Sequence, residues 1–229
     1  MTGNIKRDTG LSRIDAVLFD FDGTLLDSNE LIADSWRYTA ITLTGRDISD
    51  EEIRSTLGEM LIDSIRRLLP EIDAEYALEY YRDYQREIFL ERIKLFDGTE
   101  EVLRLLKATG YKTALVTSRL KGSTERGLVH FGIKDLFDAV LTASDTDKFK
   151  PDPAPVLMIL DMIGRKPEDA LFVGDTASDV EAGRAAGVLT ALVSWSLALP
   201  PEKIPEGLEP DFIINKLSDI PRLLGIAEA

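Results

Sequence analysis

Short runs of apolar residues recur along the chain: Ala16 to Asp20 (AVLFD), Lys112 to Ser118 (KTALVTS), Phe137 to Ala143 (FDAVLTA), Asp169 to Asp175 (DALFVGD), Leu189 to Trp195 (LTALVSW) and Asp211 to Asn215 (DFIIN). They are nearly continuous rather than alternating, which is the pattern of strands covered on both faces. Between them, residues 99–110, 122–132, 153–164 and 177–187 carry helical spacing, and several of these stretches stop at a glycine. Strand alternating with helix predicts an α/β fold, a doubly wound, Rossmann-like parallel sheet. Residues 28–93 break the alternation, reading as four successive helices (NELIADSWRYTAITLTG, SDEEIRSTLG, MLIDSIRRLLP and DAEYALEYYRDYQREIFLERI) with no strand among them. The expected organisation is therefore a core of residues 14–27 and 94–226 with an all-helical insertion, 28–93, after the first strand. Residues 1 to about 13 read as a mobile leader.

Length and composition narrow the function. A chain of 229 residues that is 44% hydrophobic can bury a substantial core. The formal charge of −14 and pI near 4.6 argue against nucleic acid or an anionic membrane as partner. A small phosphorylated ligand would then need a metal or a few placed cations. The absence of cysteine excludes disulfides and thiolate chemistry and is compatible with the cytoplasm, the expected location. No run approaches the roughly 20 apolar residues of a membrane span, and the first residues lack the apolar centre of a signal peptide. A monomer or a homodimer is expected.

In open α/β sheets, ligands sit beyond the carboxyl ends of the strands. The first strand ends in Asp20 and Asp22, the second in Thr117 and Ser118, the third precedes DKFKPDP, and the fourth ends in Gly174 and Asp175, with Asp179 following. Asp-Gly-Thr after a strand is also ordinary turn chemistry, but a second acidic pair at another strand end is more than one cap requires. At 4 Å and an effective dielectric of about 20, each close carboxylate pair costs on the order of 4 kcal/mol. A hard divalent cation with oxygen ligands, Mg²⁺ foremost, would relieve that repulsion; without cysteine, and with no histidine nearby, zinc is disfavoured. Lys150 precedes Pro151 on a stiffened loop, with Asp152 and Pro153 as an N-cap and N1 pair, and so is a candidate cation for the site, whereas Lys148 reads as a surface residue. The hydroxyl of Thr117 can donate to an anion, and backbone N–H groups in the turn at Gly23 offer further anion contacts.

DFDGTLLDS, ALVTS, KPDP and GDTASDV, in that order and at those strand ends, resemble the four motifs of the haloacid dehalogenase-like hydrolase superfamily, and the insertion resembles its small helical cap domain. The resemblance implies an Mg²⁺-dependent phosphatase in which Asp20 is the nucleophile that forms an aspartyl-phosphate and Asp22 is acid and then base. It also implies that Thr117 binds a phosphoryl oxygen and that Lys150 neutralises charge on Asp20 and the phosphoryl group. Asp20, the Asp22 backbone carbonyl and Asp175 would ligate the metal, with Asp179 as ligand or support. Asp22, crowded by other negative charge, is expected to have a raised pKa suited to donating a proton.

Asp22 also separates phosphate chemistry from halide chemistry, because a leaving halide needs no proton. Within the superfamily, LLDSNELI, KPDPAPVL and GDTASDVEAGRAAGV followed by VSW resemble the phosphoglycolate phosphatases and the related bacterial pyrophosphatases. The expected substrate is a small phosphorylated metabolite or pyrophosphate. A sugar phosphomutase of the same cap type, or a non-catalytic binding module, is the alternative. Where that subgroup often has Asn or Thr and then Lys, this chain has Ser118 and Arg119, the latter a cation in reach of the substrate or the cap. Gly58, in TLGEML, lets backbone approach the site or simply turns between helices, and Glu59 beside it would repel an anionic substrate unless it points away. Tyr76, Tyr80 and Tyr84 share one helical face and are expected in core or interface packing. His130 is read as structural.

Overall fold

The structure, a computed structural model, describes residues 11–226. In chain order it contains β1 (Ala16–Phe19), β2 (Leu26–Asp27), α1 (Asn29–Thr44), α2 (Asp50–Arg54), α3 (Leu61–Leu68), α4 (Ala74–Ile88), β3 (Lys94–Leu95), α5 (Thr99–Ala108), β4 (Lys112–Val116), α6 (Lys121–His130), β5 (Ala139–Leu141), α7 (Ala154–Ile163), β6 (Ala170–Gly174), α8 (Ala177–Ala186), β7 (Leu189–Val193), β8 (Phe212–Ile214) and α9 (Asp219–Leu223). Six strands form one parallel sheet in the order β5-β4-β1-β6-β7-β8.

The continuous apolar runs follow from two buried faces. Along β1, Val17 and Phe19 join Leu103, Leu106, Leu128 and Ile220 in one core cluster, while Ala16 and Leu18 join Val156, Ile159, Leu160 and Ala182 in another. Successive side chains point to opposite faces, so a strand covered by helices on both sides has no position left for a polar residue. The chain runs from β1 to β4 and β5, then crosses over to β6, β7 and β8. This reversal puts the topological switch point between β1 and β6, the crevice where such sheets bind ligands.

The apolar runs overshoot the strands by one or two residues. Ladder bonding persists briefly past the assigned ends: Asp20 N–H still donates to the Val173 carbonyl (2.9 Å) and Thr117 N–H to Leu141 (3.0 Å). Asp20, Thr117 and Asp175 therefore stand on the first residue beyond β1, β4 and β6.

Helices α1 to α4 pack around a cluster of their own, Trp36, Ala40, Ile48, Ile53, Ile65, Leu69, Ala77 and Tyr81, with Trp36 and Tyr81 edge to face at 5.2 Å between centroids. A capping box starts α2, in which Ser49 accepts from Glu52 N–H and the Glu52 carboxylate accepts from Ser49 N–H. The insertion leaves and rejoins the sheet through an antiparallel ribbon, β2 with β3, that the sequence pattern did not signal, since two residues per strand show no period. Lys94 Nζ pairs with Asp27 (3.3 Å) across it.

Two expectations are corrected. Leu11–Arg13 form a 3₁₀ turn, and Leu11 packs on the core that buries Ile14, so the leader does not extend to residue 13; residues 1–10 lie outside the described residues. Of the core or interface packing expected for Tyr76, Tyr80 and Tyr84, the core placement does not hold. They lie on the outer side of α4 with Tyr38, which stacks on Tyr84 at 3.7 Å, while Tyr81 takes the inward position.

Candidate active site

The site begins with a tight turn. After Asp20 the Phe21 carbonyl accepts from the N–H groups of Thr24, Leu25 and Leu26, and Gly23 N–H donates to Leu26 (2.8 Å). Gly23 has φ +80°, and a Cβ there would lie 2.2 Å from Asp175 Oδ2. Glycine is thus required twice, for its backbone angle and for the approach of the carboxylate. Trp195 Nε1 donates to the Gly23 carbonyl (3.1 Å), and the Ser196 hydroxyl donates to the Asp175 carbonyl, so the segment after β7 secures both loops.

Thr176 caps α8, its hydroxyl accepting from Asp179 N–H (3.2 Å). In return Asp179 Oδ2 accepts from Thr176 N–H (3.0 Å), the Thr176 hydroxyl (2.7 Å) and Asp175 N–H (3.2 Å). Its other oxygen, Oδ1, takes Lys150 Nζ at 2.6 Å. Lys150 Nζ also reaches Asp20 Oδ1 (2.6 Å) and the Val116 carbonyl (3.2 Å). Asp152 Oδ1 accepts from Ala154 N–H (2.9 Å) at the start of α7, whose N-cap is Pro153, one residue later than expected. Lys148 stays outside on Asp152.

Asp20, Asp175 and Asp179 present oxygens within 4.8 Å of one another, all three residues buried. Asp175 Oδ1 has no hydrogen-bond partner among the described residues. Burial pushes the Asp20 carboxyl up to about 7, with Lys150 pulling it down and the Asp179 charge adding to the rise. Burial, then the Asp179 and Asp20 charges, push Asp175 well above the carboxylate range. Burial acts against the Lys150 charge, but Asp179 and Asp20 hold its pKa above the ordinary lysine value. The site is thus an excess of buried carboxylate around one ammonium.

Asp22 corrects the expectation made for it. Although burial works to raise its pKa, the Arg119 guanidinium, by charge and by hydrogen bond, brings it below the usual value. Arg119 Nε meets Oδ2 and Nη2 meets Oδ1, both at 2.8 Å, and the guanidinium lies over the Phe89 ring at 4.9 Å. Counting charges along the chain gave Asp22 only acidic neighbours; the fold supplied a cation. Thr117 is buried beside it and its hydroxyl accepts Arg119 N–H (3.1 Å).

These residues form one wall of a cavity of about 410 Å³. Asp20, Asp22, Gly23, Thr117, Ser118, Arg119, Lys150, Asp175 and Asp179 all line it, and so does Gly58 from the helical insertion. Gly58 has φ +84°; a Cβ there would stand 3.3 Å from Thr176 Cβ, and its carbonyl accepts from the Ser178 hydroxyl (3.4 Å). Glu59 is held by Arg67 (2.6 Å) and the Ser64 hydroxyl (2.7 Å). His130 stands exposed and edge-on to Phe131, apart from the carboxylates. Sequence reasoning missed the cavity residues of α4, Tyr81, Arg82 and Gln85. Their one signal was the i, i+1, i+4 spacing of a single helical face.

The sequence pattern of the haloacid dehalogenase-like hydrolases matches residues 17–193 of this chain. The chain belongs to that family. It is 35% identical over 208 residues to pyrophosphatase PpaX of Bacillus cereus, covering 91% of this chain and 95% of that one. The structure of a predicted phosphatase from Clostridium acetobutylicum superposes with a TM-score of 0.79 at 26% identity, covering 91% of this chain and 97% of the other. A predicted phosphoglycolate phosphatase from Haemophilus somnus shares the fold, with a TM-score of 0.82 at 24% identity over 92% and 98% of the two chains. No helix among the described residues is long and apolar enough to cross a membrane.

Proposed function

We propose that this family member is an Mg²⁺-dependent phosphatase that transfers the phosphoryl group of a small substrate, pyrophosphate or a phosphoglycolate-like metabolite, to Asp20 and then to water. The observation that carries the reading is Lys150 Nζ held 2.6 Å from Asp20 and 2.6 Å from Asp179, beside an Asp175 oxygen with no partner. A nucleophile, a fixed cation and an unsatisfied hard oxygen stand at one switch point. We assign residues 28–93 as the cap and the β2–β3 ribbon as its hinge, in a cytoplasmic protein.

The donor set fits Mg²⁺, being all oxygen with a buried carboxylate atom left unsatisfied. Asp20, Asp175 and the main-chain carbonyl of Asp22 would hold the ion. Both oxygens of Asp179 are already engaged, so its part is to position Lys150. When bound, the ion offsets the carboxylate repulsion and supplies positive charge for the phosphoryl oxygens.

In the first step an Asp20 oxygen bonds to phosphorus as the bond to the leaving oxygen breaks, while Lys150 offsets the charge and the Thr117 hydroxyl donates to a phosphoryl oxygen; a leaving phosphate departs as the anion, whereas the alkoxide of an ester would take a proton from Asp22 in its protonated form. In the second, Asp22 takes a proton from water, the water oxygen attacks phosphorus, and Asp20 is released with phosphate. In the arrangement seen, Arg119 favours the charged form of Asp22, which leaves it able to accept a proton but makes it a weaker base than an unpaired carboxylate. A leaving phosphate is a far weaker base than an alkoxide and asks least of an acid, which supports pyrophosphate over an ester. Phosphate release from pyrophosphate, phosphoglycolate, sugar phosphates and nucleotides, with Mg²⁺ or with EDTA, tests this beside Asp20→Asn. Release should need Mg²⁺ and fall about a thousandfold or more in Asp20→Asn; turnover that survives either treatment overturns the proposal.

A further inference from the structure

Among the described residues three cations line the cavity: Lys150, Arg119 and Arg82. Lys150 is committed to Asp20 and Asp179, and Arg119 to Asp22 through two bonds. Arg82 projects from the middle of α4 on the insertion side and differs from both, since it has no ion pair and no side-chain hydrogen bond among the described residues. Carboxylates are available on its own helix, with Asp83 next to it and Glu79 one turn back, yet neither pairs with it; Asp83 is taken by Arg86 (2.9 Å). Its helix neighbours in the cavity wall, Tyr81 and Gln85, bond to each other (3.3 Å) and leave the guanidinium unused.

The charges around the cavity say what such a group is for. Among the described residues the wall carries five carboxylates, Asp20, Asp22, Glu59, Asp175 and Asp179. Lys150, with a divalent ion if one is bound, would serve the end where phosphorus reacts, and Glu59 is neutralised by Arg67 outside the wall. A substrate with a second anionic group would bring that charge into a cavity otherwise poor in uncommitted positive charge. An arginine fork is the side chain best shaped to take a phosphate or carboxylate through paired N–H donors.

We propose that Arg82 is a specificity-determining residue, the cap's contact for a second anionic group of the substrate, so that the site selects compact molecules carrying phosphate or carboxylate a few bonds from the reacting phosphorus. This rests on the phosphatase reading and names the substrate class within it. It assigns the recognition of the second charge to the helical layer and that of the first to the sheet edge. Such a substrate would bridge the two layers and favour their closure over the reacting bond.

Calorimetric titration with Mg²⁺ present reads this without turnover, using methylenediphosphonate for a second phosphate, phosphonoacetate for a second carboxylate, and inorganic phosphate for neither. Arg82→Gln should weaken both two-charge probes about tenfold, near 1.4 kcal/mol, and change inorganic phosphate by less than about twofold. Arg82→Lys should recover part of the loss. Loss with only one probe identifies the second group as phosphate or as carboxylate. Arg82→Gln that binds all three as wild type does, or weakens all three equally, overturns the proposal. A wild-type chain that binds methylenediphosphonate through Arg82 but releases no phosphate from pyrophosphate or phosphoglycolate would leave this assignment standing and overturn the hydrolase reading instead.

Discussion

Arg119 closes on Asp22 through two 2.8 Å bonds from 97 positions further along the chain. The guanidinium side chain is 7% exposed and the carboxylate 26%, so removing one partner strands the other in a partly desolvated site. Arg119→Gln is expected to cost about 2–3 kcal/mol, somewhat less than a fully buried pair because water still reaches Asp22. Urea denaturation at neutral pH measures this. In a double-mutant cycle, Asp22→Asn with Arg119→Gln should cost clearly less than the sum of the single changes. Strict additivity would mean the pair contributes nothing as a pair.

Gly23→Ala places a methyl group where Asp175 Oδ2 stands 2.2 Å away, on a backbone with φ +80°. Something must move, and the carboxylate is the atom in the way. Mg²⁺ should raise the wild-type melting temperature in a concentration-dependent manner and do so far less in Gly23→Ala. Phosphate release should fall about a hundredfold, the usual consequence of displacing a catalytic group by an ångström. Equal Mg²⁺ stabilisation of both proteins would show that Asp175 is no ligand.

Away from the site, Glu52 offers a pH test of the helical layer. Hydrogen bonds from Ser49 N–H, from Arg46 and from the Ser49 hydroxyl hold its carboxyl down at about 2. A depressed folded pKa means that its stabilisation is complete above the unfolded value of about 4.3 and fades as pH falls toward 2. Melting temperatures of wild type and Glu52→Gln should therefore differ most near pH 6 and converge on acidification. A difference that stays constant down to about pH 3 would show that the box does not depend on the charge.

Much of the site was legible along the chain because its logic is local. The apolar runs mark β1, β4 and β6, and Asp20, Thr117 and Asp175 each follow directly on one of them. Turn chemistry explains Gly23, and the same strand-end rule that places ligands in open sheets places Lys150 and Asp179 near them. The β2–β3 ribbon escaped notice because two residues per strand carry no period. The outward turn of Tyr76, Tyr80 and Tyr84 escaped because a shared helical face does not say which way it looks.

The sequence by itself determined the alternation of strand and helix, the helical insertion and the carboxylates at the strand ends, since these depend on residues a few positions apart. Tertiary structure alone decided how the charges meet. Lys150 reaches Asp20 across 130 positions, Arg119 reaches Asp22 across 97, and Trp195 reaches Gly23 across 172. Each distance is set by strand order and by the two packed faces of the sheet. For that reason Asp22, read along the chain as a crowded acid, stands in the fold as a carboxylate paired with an arginine, and Arg82 stands in the cavity without a partner among the described residues.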